Sequence, residues 1–241
     1  MLFLLPFQAY SRPVSYTDLL QYSTKAPDQA ETNSCLFVGS TGTMEILYNK
    51  HFNLTNGNRV DLAEQYIMWV NSGNGYSWLD SVVLGFNNSG KAVLNKDLPF
   101  YAWNDNGSIH DVWSYPRGFS NLPTIEIPFD VGSKKLFHKG RNRWATYVLT
   151  QKDIELVKES LVKYESPILI NYNDEGFWHV INIIGYDDNV EGQCYDYTPT
   201  NECAKNKGSF IVRDHFGVAT EYRDTDWFRI KGNAAYVITI D

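Results

Sequence analysis

Hydrophobic and polar positions have the spacing of helices over much of the chain before residue 166. Residues that commonly cap helices precede four apolar segments, and each of these segments is predicted to be a helix. The predicted helices begin at Asn33 and Ser34, at Asp61 with Glu64, at Ser77 or Asp80, and at Thr150 with Asp153. The first three are predicted to end near Tyr48, Val70 and Leu84.

Beyond residue 166 the pattern changes to short apolar or alternating runs separated by Gly, Asn and Asp, which predict strands. These runs are Pro167–Tyr172, Phe177–Tyr186, Ser209–Arg213, Trp227–Lys231 and Ala234–Ile240. Residues 101–148 are aromatic without a clear period, and they predict loops with edge strands. Helices followed by strands predict an α+β fold.

Composition adds limits to this picture. The chain has 241 residues, of which 43% are hydrophobic, and this is enough for one folded domain or for two lobes that share a cleft. The formal net charge of −7 makes nucleic acid an unexpected partner, because the surface lacks the positive charge that attracts phosphates. No apolar run is long enough to predict a membrane span.

Three cysteines are present, and two of them form a close pair in sequence. Cys194 and Cys203 lie nine residues apart in a stretch rich in turn-forming residues, where a disulfide could staple a loop. We therefore predict a disulfide between them and an exported protein, located outside the cell, in a periplasm or in a lysosome-like compartment. Cys35 is left as a single thiol.

Cys35 is the candidate nucleophile, because it directly follows a predicted helix start. The N–H groups and the dipole at a helix N-terminus favour the thiolate form of a cysteine. His179 lies within an apolar strand, where a histidine is costly unless it has a partner, and Asp214 ends another apolar strand. Taken singly, these residues could be a buried thiol, a core histidine and a turn aspartate. Together they make up the set that acyl transfer through a thiol requires.

Several segments resemble, in the same chain order, the motifs of the papain family of cysteine peptidases. They are Gln29 followed six residues later by Cys35, Leu62-Ala63-Glu64-Gln65, Gly73-Asn74-Gly75-Tyr76-Ser77-Trp78, Leu98-Pro99-Phe100, His179 to Gly185-Tyr186, and Phe210 to Asp214-His215-Phe216-Gly217. The resemblance extends from about Pro13 to Lys231.

The resemblance implies a role for each matching position. It makes Cys35 the nucleophile, His179 the base, Asp214 the group that orients the base, Gln29 an oxyanion donor, Gly73 and Gly75 substrate-binding residues of the cleft wall, and Phe216 the cover of the histidine pair. No metal and no organic cofactor is implied.

Four positions depart from the family pattern. Leu36 replaces an aromatic residue, Asp214 an asparagine, Phe216 a tryptophan and Thr32 a structural cysteine. Aspartate accepts a hydrogen bond from an imidazole at least as well as an amide does, so asparagine at position 214 is expected to support activity too. Residues 187–208, which include Cys194 and Cys203, are interpreted as an insertion.

The resemblance implies a papain-like two-lobed fold, with a helical lobe, a strand-rich and barrel-like lobe, and a cleft between them. Residues 13–241 would form the peptidase domain, and residues 1–12 would be an extension or a processing remnant. The implied activity is hydrolysis of peptide bonds through a thioester, with peptide or protein substrates and a proteinaceous inhibitor or pro-segment as a further partner. Two alternatives remain open: a non-catalytic module that binds peptides or proteins, and an acyl transferase of the transglutaminase type.

Overall fold

The structure is a computed structural model that describes residues 12–70, 79–101, 121–139, 148–174, 177–193, 207–217 and 220–241. Its helices are α1 (Cys35–His51), α2 (Glu64–Val70), α3 (Ser81–Ser89), α4 (Gln151–Tyr164) and α5 (Thr225–Lys231). Its strands are β1 (Ser15–Tyr16), β2 (Lys91–Val93), β3 (Thr124–Glu126), β4 (Val131–His138), β5 (Ile168–Asp174), β6 (Phe177–Glu191), β7 (Lys207–Arg213), β8 (Glu221–Asp224) and β9 (Gly232–Ile240).

Seven of these strands form one antiparallel sheet. The order is β4-β9-β5-β6-β7-β8, and β1 pairs with part of β6. Strands β2 and β3 form a separate two-stranded ribbon. Since β4 and β8 stand at opposite ends of the order, the described strands form an open sheet and not a closed barrel.

Two hydrophobic cores lie on opposite faces of the main sheet, because side chains alternate between the faces of a strand. On β5, Ile168 and Ile170 contribute to the core shared with α4 and α5, whereas Leu169 contributes to the core of α1, α2 and α3. Burial on both faces explains why this strand is a continuous apolar run in the sequence. The two cores define a helical lobe and a sheet lobe, so the predicted α+β, two-lobed architecture is confirmed.

Helix α1 lies against the sheet through small residues. The side-chain amide of Asn182 on β6 donates to the backbone oxygen of Gly39 at 2.9 Å and to Thr43 Oγ1 at 2.8 Å. A β-carbon at Gly42 would collide with the guanidinium of Arg213, so this helix can approach β7 closely only with glycine there. This close packing brings the first residue of α1, Cys35, near the sheet.

Three buried titratable residues, Glu45 on α1, Glu64 on α2 and Arg213 on β7, lie near one another. Arg213 Nη2 donates to Glu45 Oε2 at 2.9 Å, and Glu64 is buried with both carboxylate oxygens lacking a hydrogen-bond partner among the described residues. Burial raises the pKa of Glu64 to about 8, although the charge of Arg213 opposes the shift. Burial also raises the pKa of Glu45 well above its ordinary value, again against the charge of Arg213.

We expect Glu64→Gln to reduce the loss of stability that the protein suffers as pH rises. Because the pKa of Glu64 is raised on folding, from 4.5 to about 8, the folded state binds more protons over that interval and stability falls with rising pH. The expected difference is up to about 1.4 kcal/mol of unfolding free energy per pH unit. Urea unfolding at pH 5 and pH 8.5 measures this change in unfolding free energy, and Glu126→Gln, at an exposed position, is the control. An equal change between the two pH values in the wild type and both variants would contradict the expectation.

The predictions for the segments that form α5 and the start of α2 were wrong. Residues 227–231, predicted as a strand, belong to α5, because the side chain of Asp224 accepts from the backbone N–H groups of Asp226 and Trp227 and caps a helix there. The capping box of Asp61 and Glu64 does not form: α2 begins at Glu64 itself, and Asp61 accepts from Asn95 instead. By contrast, the predicted capping box of α4 is present.

None of the helices in the described part of the chain is long and apolar enough to cross a membrane.

Candidate active site

Cys35 is the first residue of α1 and is partly exposed. Ser34 occupies the N-cap position, but its side chain does not bond to the helix backbone, and its hydroxyl shares a 2.7 Å hydrogen bond with Thr32 Oγ1. The backbone N–H groups of Phe37 and Val38 donate to the backbone oxygen of Ser34, at 2.9 and 3.0 Å, so the thiol of Cys35 lies in the first turn of the helix. The sequence prediction of a thiol at a helix start is confirmed, whereas the proposed side-chain cap is not formed.

The loop from Gln29 to Ser34 has an uncommon backbone. Ala30 and Asn33 have positive φ angles of 45° and 56°, in the left-handed region that non-glycine residues rarely adopt. Thr32 Oγ1 donates to the backbone oxygen of Gln29 at 2.7 Å and thereby joins the two ends of the loop through its bond with Ser34. These contacts fix the position of Gln29 relative to Cys35.

His179 and Asp214 are both fully buried and are directly bonded. His179 Nε2 lies 2.9 Å from Asp214 Oδ1. The ring of Phe216 stacks on His179 with a centroid distance of 5.4 Å and an interplanar angle of 19°, while Tyr172 contacts the same imidazole edge-on. Phe216 is 46% exposed, so its ring lies between solvent and the bonded pair of His179 and Asp214.

The charges at this pair favour an imidazolium beside a carboxylate. Burial alone would lower the pKa of His179, but the hydrogen bond with Asp214 and the neighbouring thiol of Cys35 outweigh it and raise the pKa to about 9. Burial of Asp214 opposes its ionisation, yet the bond from His179 and the charge of Arg223 hold its pKa well below the usual range. The imidazole therefore lies between the Cys35 thiol and the Asp214 carboxylate.

Gln29 is joined to the same group through the backbone. Its N–H donates to the oxygen of His215 at 2.9 Å, and a β-bridge connects Asp28 with Phe216. The Gln29 side chain is 2% exposed, and its Oε1 accepts no hydrogen bond from the described residues. The structure thus brings Gln29, Cys35, His179, Asp214 and Phe216 together.

Two residues of this site were missed by the sequence analysis. Arg223 Nη2 donates to Asp214 Oδ2 at 2.6 Å, and the buried ring of His215 packs edge-on against His179. Burial and the neighbouring positive charge of His179 lower the pKa of His215, so this ring is neutral. No motif marked Arg223, since it meets Asp214 only through the pairing of β7 with β8.

His179, Asp214 and His215 also form the cluster in the described chain whose side chains could together ligate a metal, with ligand atoms within 4.8 Å of one another. All three are buried, and Arg223 places a guanidinium on the same carboxylate. That positive charge opposes the binding of a metal cation at this point.

Four of the predicted site residues lie outside the described residues. They are Gly73 and Gly75, predicted to bind substrate, and Cys194 and Cys203, predicted to form a disulfide. Residues 1–11 and most of the predicted insertion at 187–208 lie outside them as well. These predictions stay open.

Comparison with protein-family models gives no match, and comparison with curated protein sequences gives none either. Comparison with solved structures does give matches. The cysteine protease and lectin-like domains of Cwp84, a surface layer associated protein of Clostridium difficile, align with a TM-score of 0.64 at 16% identity, over 96% of this chain and 52% of that one. Cwp84 after propeptide cleavage aligns over 58% of its chain, so this protein spans little more than half of either Cwp84 structure.

Two further structures extend the comparison. The bromelain protease from Ananas comosus, in complex with the E64 inhibitor, aligns with a TM-score of 0.60 at 12% identity, over 95% of this chain and 100% of that one. A structure from a study of the mite allergens Blo t 1 and Der p 1 aligns with a TM-score of 0.58 at 13% identity, over 97% and 73% of the two chains. The protein therefore has the papain-like fold that its motifs predicted.

Proposed function

We propose that this protein is a cysteine peptidase that hydrolyses peptide bonds through Cys35, His179 and Asp214. The observation that carries the proposal is the hydrogen bond between the His179 imidazole and the Asp214 carboxylate, with the Cys35 thiol close enough to the imidazole to raise its pKa and with the backbone of Gln29 bonded to that of His215. This is the arrangement that nucleophilic catalysis by a thiol requires: a nucleophile, a base, and a group that orients the base. The cysteine protease neighbours support the same activity through the shared fold.

In the proposed reaction His179 holds the proton of Cys35, and the thiolate attacks the carbonyl carbon of the scissile peptide. The new C–S bond turns the carbonyl oxygen into an oxyanion, which accepts hydrogen bonds from the Gln29 side chain and the Cys35 backbone N–H. His179 then gives its proton to the leaving amine as the C–N bond breaks. Water attacks the resulting thioester with His179 as the base, which releases the acid and restores the thiol.

Asp214 has an electrostatic role in this scheme. Its carboxylate accepts from His179 Nε2, so the other ring nitrogen is directed to Cys35, and its charge stabilises the imidazolium. Because the pKa of His179 is raised to about 9, the imidazolium persists through neutral pH and is lost as pH rises past that value. We expect kcat/KM to fall on the alkaline side near pH 9.

A fluorogenic peptide library tests the proposal, together with iodoacetamide labelling of the unliganded protein followed by mass spectrometry. We expect peptide cleavage, and alkylation of Cys35 well below the pH at which an unperturbed thiol of pKa about 8.5 reacts. Peptide mapping separates Cys35 from Cys194 and Cys203. A Cys35 that does not react in the folded protein would refute the peptidase and favour the non-catalytic binding module.

Acyl transfer to an amine is the second catalytic alternative, because a thiol, a histidine and an aspartate also serve that chemistry. The buried Gln29 amide beside the thiol favours the peptidase, since it supplies the oxyanion donor at the family's spacing. Product analysis with and without an added primary amine distinguishes the two. Amide products formed at the expense of free acid would identify a transferase.

We also propose export of the protein, the Cys194–Cys203 disulfide, peptide or protein substrates, and a proteinaceous inhibitor or pro-segment as partner. Support for export comes from the neighbour Cwp84, which is a surface layer associated protein. Mass mapping of protein isolated under oxidising conditions tests the disulfide, and two free thiols at these positions would refute it.

A further inference from the structure

Both oxygens of the Asp214 carboxylate accept hydrogen bonds from neighbouring donors. Oδ1 accepts from His179 Nε2 at 2.9 Å and from the backbone N–H of His215 at 2.7 Å. Oδ2 accepts from Arg223 Nη2 at 2.6 Å. All three partners are donors. Bonds to both oxygens restrict the orientation of the carboxylate.

Arg223 is itself held in place. Its side chain is 3% exposed, its guanidinium carbon lies 5.1 Å from the ring centre of Trp227, and Nη2 also donates to Glu221 Oε2 at 3.2 Å. Burial opposes the charge of Arg223, but the Asp214 carboxylate outweighs this and raises its pKa. A permanently charged, buried guanidinium thus faces the carboxylate that orients His179.

An amide cannot replace the carboxylate in these surroundings. Asparagine offers one accepting oxygen and one donating NH₂ group, whereas Asp214 is approached by donors on both sides. In one orientation the NH₂ of asparagine would face Arg223 Nη2, and in the other it would face His179 Nε2. Either orientation opposes two donors and leaves Glu221, at 3.2 Å, as the remaining counterion of the buried Arg223 charge, which is unfavourable.

We propose that Arg223 is a positioning residue that holds Asp214 in the orientation that directs the His179 imidazole to Cys35, and that it makes aspartate obligatory at position 214. The inference rests on the proposed function, because it assigns a role within that site. It reverses the expectation from sequence that asparagine at position 214 would also support activity. Arg223 acts only through Asp214.

The described groups around the Asp214–Arg223 pair come from several elements. His179 lies on β6, Glu221 on β8, Tyr172 on β5 and Trp227 on α5, and the neutral ring of His215 follows Asp214 itself. The charges of Asp214 and Arg223 balance each other. The thiolate and imidazolium of the proposed mechanism therefore form beside a neutral pair, and replacing one member of that pair leaves a net charge there.

The test is a double-mutant cycle of wild type, Asp214→Asn, Arg223→Gln and the double variant, assayed for kcat and KM on a cleaved peptide and for the rate of Cys35 alkylation against pH. We expect Asp214→Asn to lower kcat about 100-fold, since it opposes buried donors. We expect Arg223→Gln alone to lower kcat by about tenfold or less, because the glutamine amide still donates to Asp214. In the double variant the glutamine oxygen can accept from the asparagine NH₂, so kcat should exceed that of Asp214→Asn at least about tenfold.

Two controls keep the result specific. Arg229→Gln removes an arginine that bonds to Asp226 on α5, and it should neither lower kcat nor rescue Asp214→Asn. Arg223→Lys keeps the charge but can only donate, so it should support activity alone and fail to rescue Asp214→Asn. If Arg223→Gln does not fold, Arg223→Lys tests the role of Arg223 in its place. KM should stay constant throughout, because Arg223 is buried and is expected to act only through Asp214.

A double variant whose kcat equals the product of the two single effects would overturn the proposal, as would an Asp214→Asn protein with wild-type kcat. Failure of the proposed function has a different signature: the wild type would not cleave peptides, yet Cys35 would be alkylated rapidly at low pH. The inference is then judged on alkylation rates, which need no substrate. There too, rescue supports Arg223 as a positioning residue and additivity refutes it.

Discussion

Replacing His179 by alanine should lower kcat/KM for peptide cleavage by on the order of 10⁴-fold or more. The imidazole has three roles in the proposed mechanism: it stabilises the thiolate of Cys35, protonates the leaving amine and activates water. Each of these is lost with the ring, and what remains is the contribution of binding and of the oxyanion donors. The same substitution should shift alkylation of Cys35 to higher pH, because the imidazolium no longer accompanies the thiolate.

His51→Ala is the matched control, since His51 is an exposed histidine at the end of α1 that contacts Phe52 and Phe129. It should leave kcat/KM and the alkylation profile close to those of the wild type. Near-ultraviolet circular dichroism checks that the His179 variant is folded. If that variant is folded and keeps activity within about tenfold of wild type, His179 is not the base, and the catalytic assignment fails.

The second large effect is expected at Gln29, where alanine should lower kcat by about 10²–10³-fold with little change in KM. The buried amide of Gln29 would act only on the oxyanion, which exists in the transition state and not in the bound substrate. Alkylation of Cys35 should therefore be nearly intact, in contrast with the His179 variant.

Two further variants separate the donor from the volume of the side chain. Gln29→Glu keeps the size but loses the N–H group, so it should be as inactive as Gln29→Ala. Gln21→Ala, a change in an exposed glutamine whose amide donates to the backbone oxygen of Asp18, should leave kcat unchanged. A wild-type kcat for Gln29→Ala would show that this residue only shapes the loop.

Much of the architecture could be predicted from sequence because the signals were local. The capping box of Thr150 and Asp153 and the apolar face that follows it predicted α4, and both are present. The continuous apolar run that became β5 was recognisable as a strand because it is short and bounded by turn residues. The order of the papain-like motifs along the chain predicted the fold, because each motif belongs to a particular helix or strand of that fold.

Other features depended on contacts between distant segments. Residues 227–231 were ambiguous, since a short apolar run fits a strand or a helix equally well, and the N-cap at Asp224 decided for the helix. Glu64 resembled a capping residue, but its side chain is buried near Arg213 and does not cap α2. In both cases the sequence carried a local signal that a tertiary interaction overrode.

The position of Arg223 could not have been inferred at all. An arginine in a short, partly exposed strand usually faces solvent, and nothing nearby in sequence marks it as buried. Its approach to Asp214 follows from the register of β7 with β8, in which Phe210 lies opposite Arg223. Register is a property of the folded sheet, so a motif search finds Asp214 and misses the residue that holds it.

Thr32 has a consequence for the redox conditions that the site tolerates. A thiol nucleophile works only while it is reduced, whereas a disulfide next to it would persist only in oxidising surroundings. Here a hydroxyl joins Gln29 to Ser34, at the position where the family has a half-cystine. Strong reductants should therefore keep Cys35 in its thiol form without loosening the loop that carries Gln29. The site is thus expected to keep its structure in reducing as well as in oxidising surroundings.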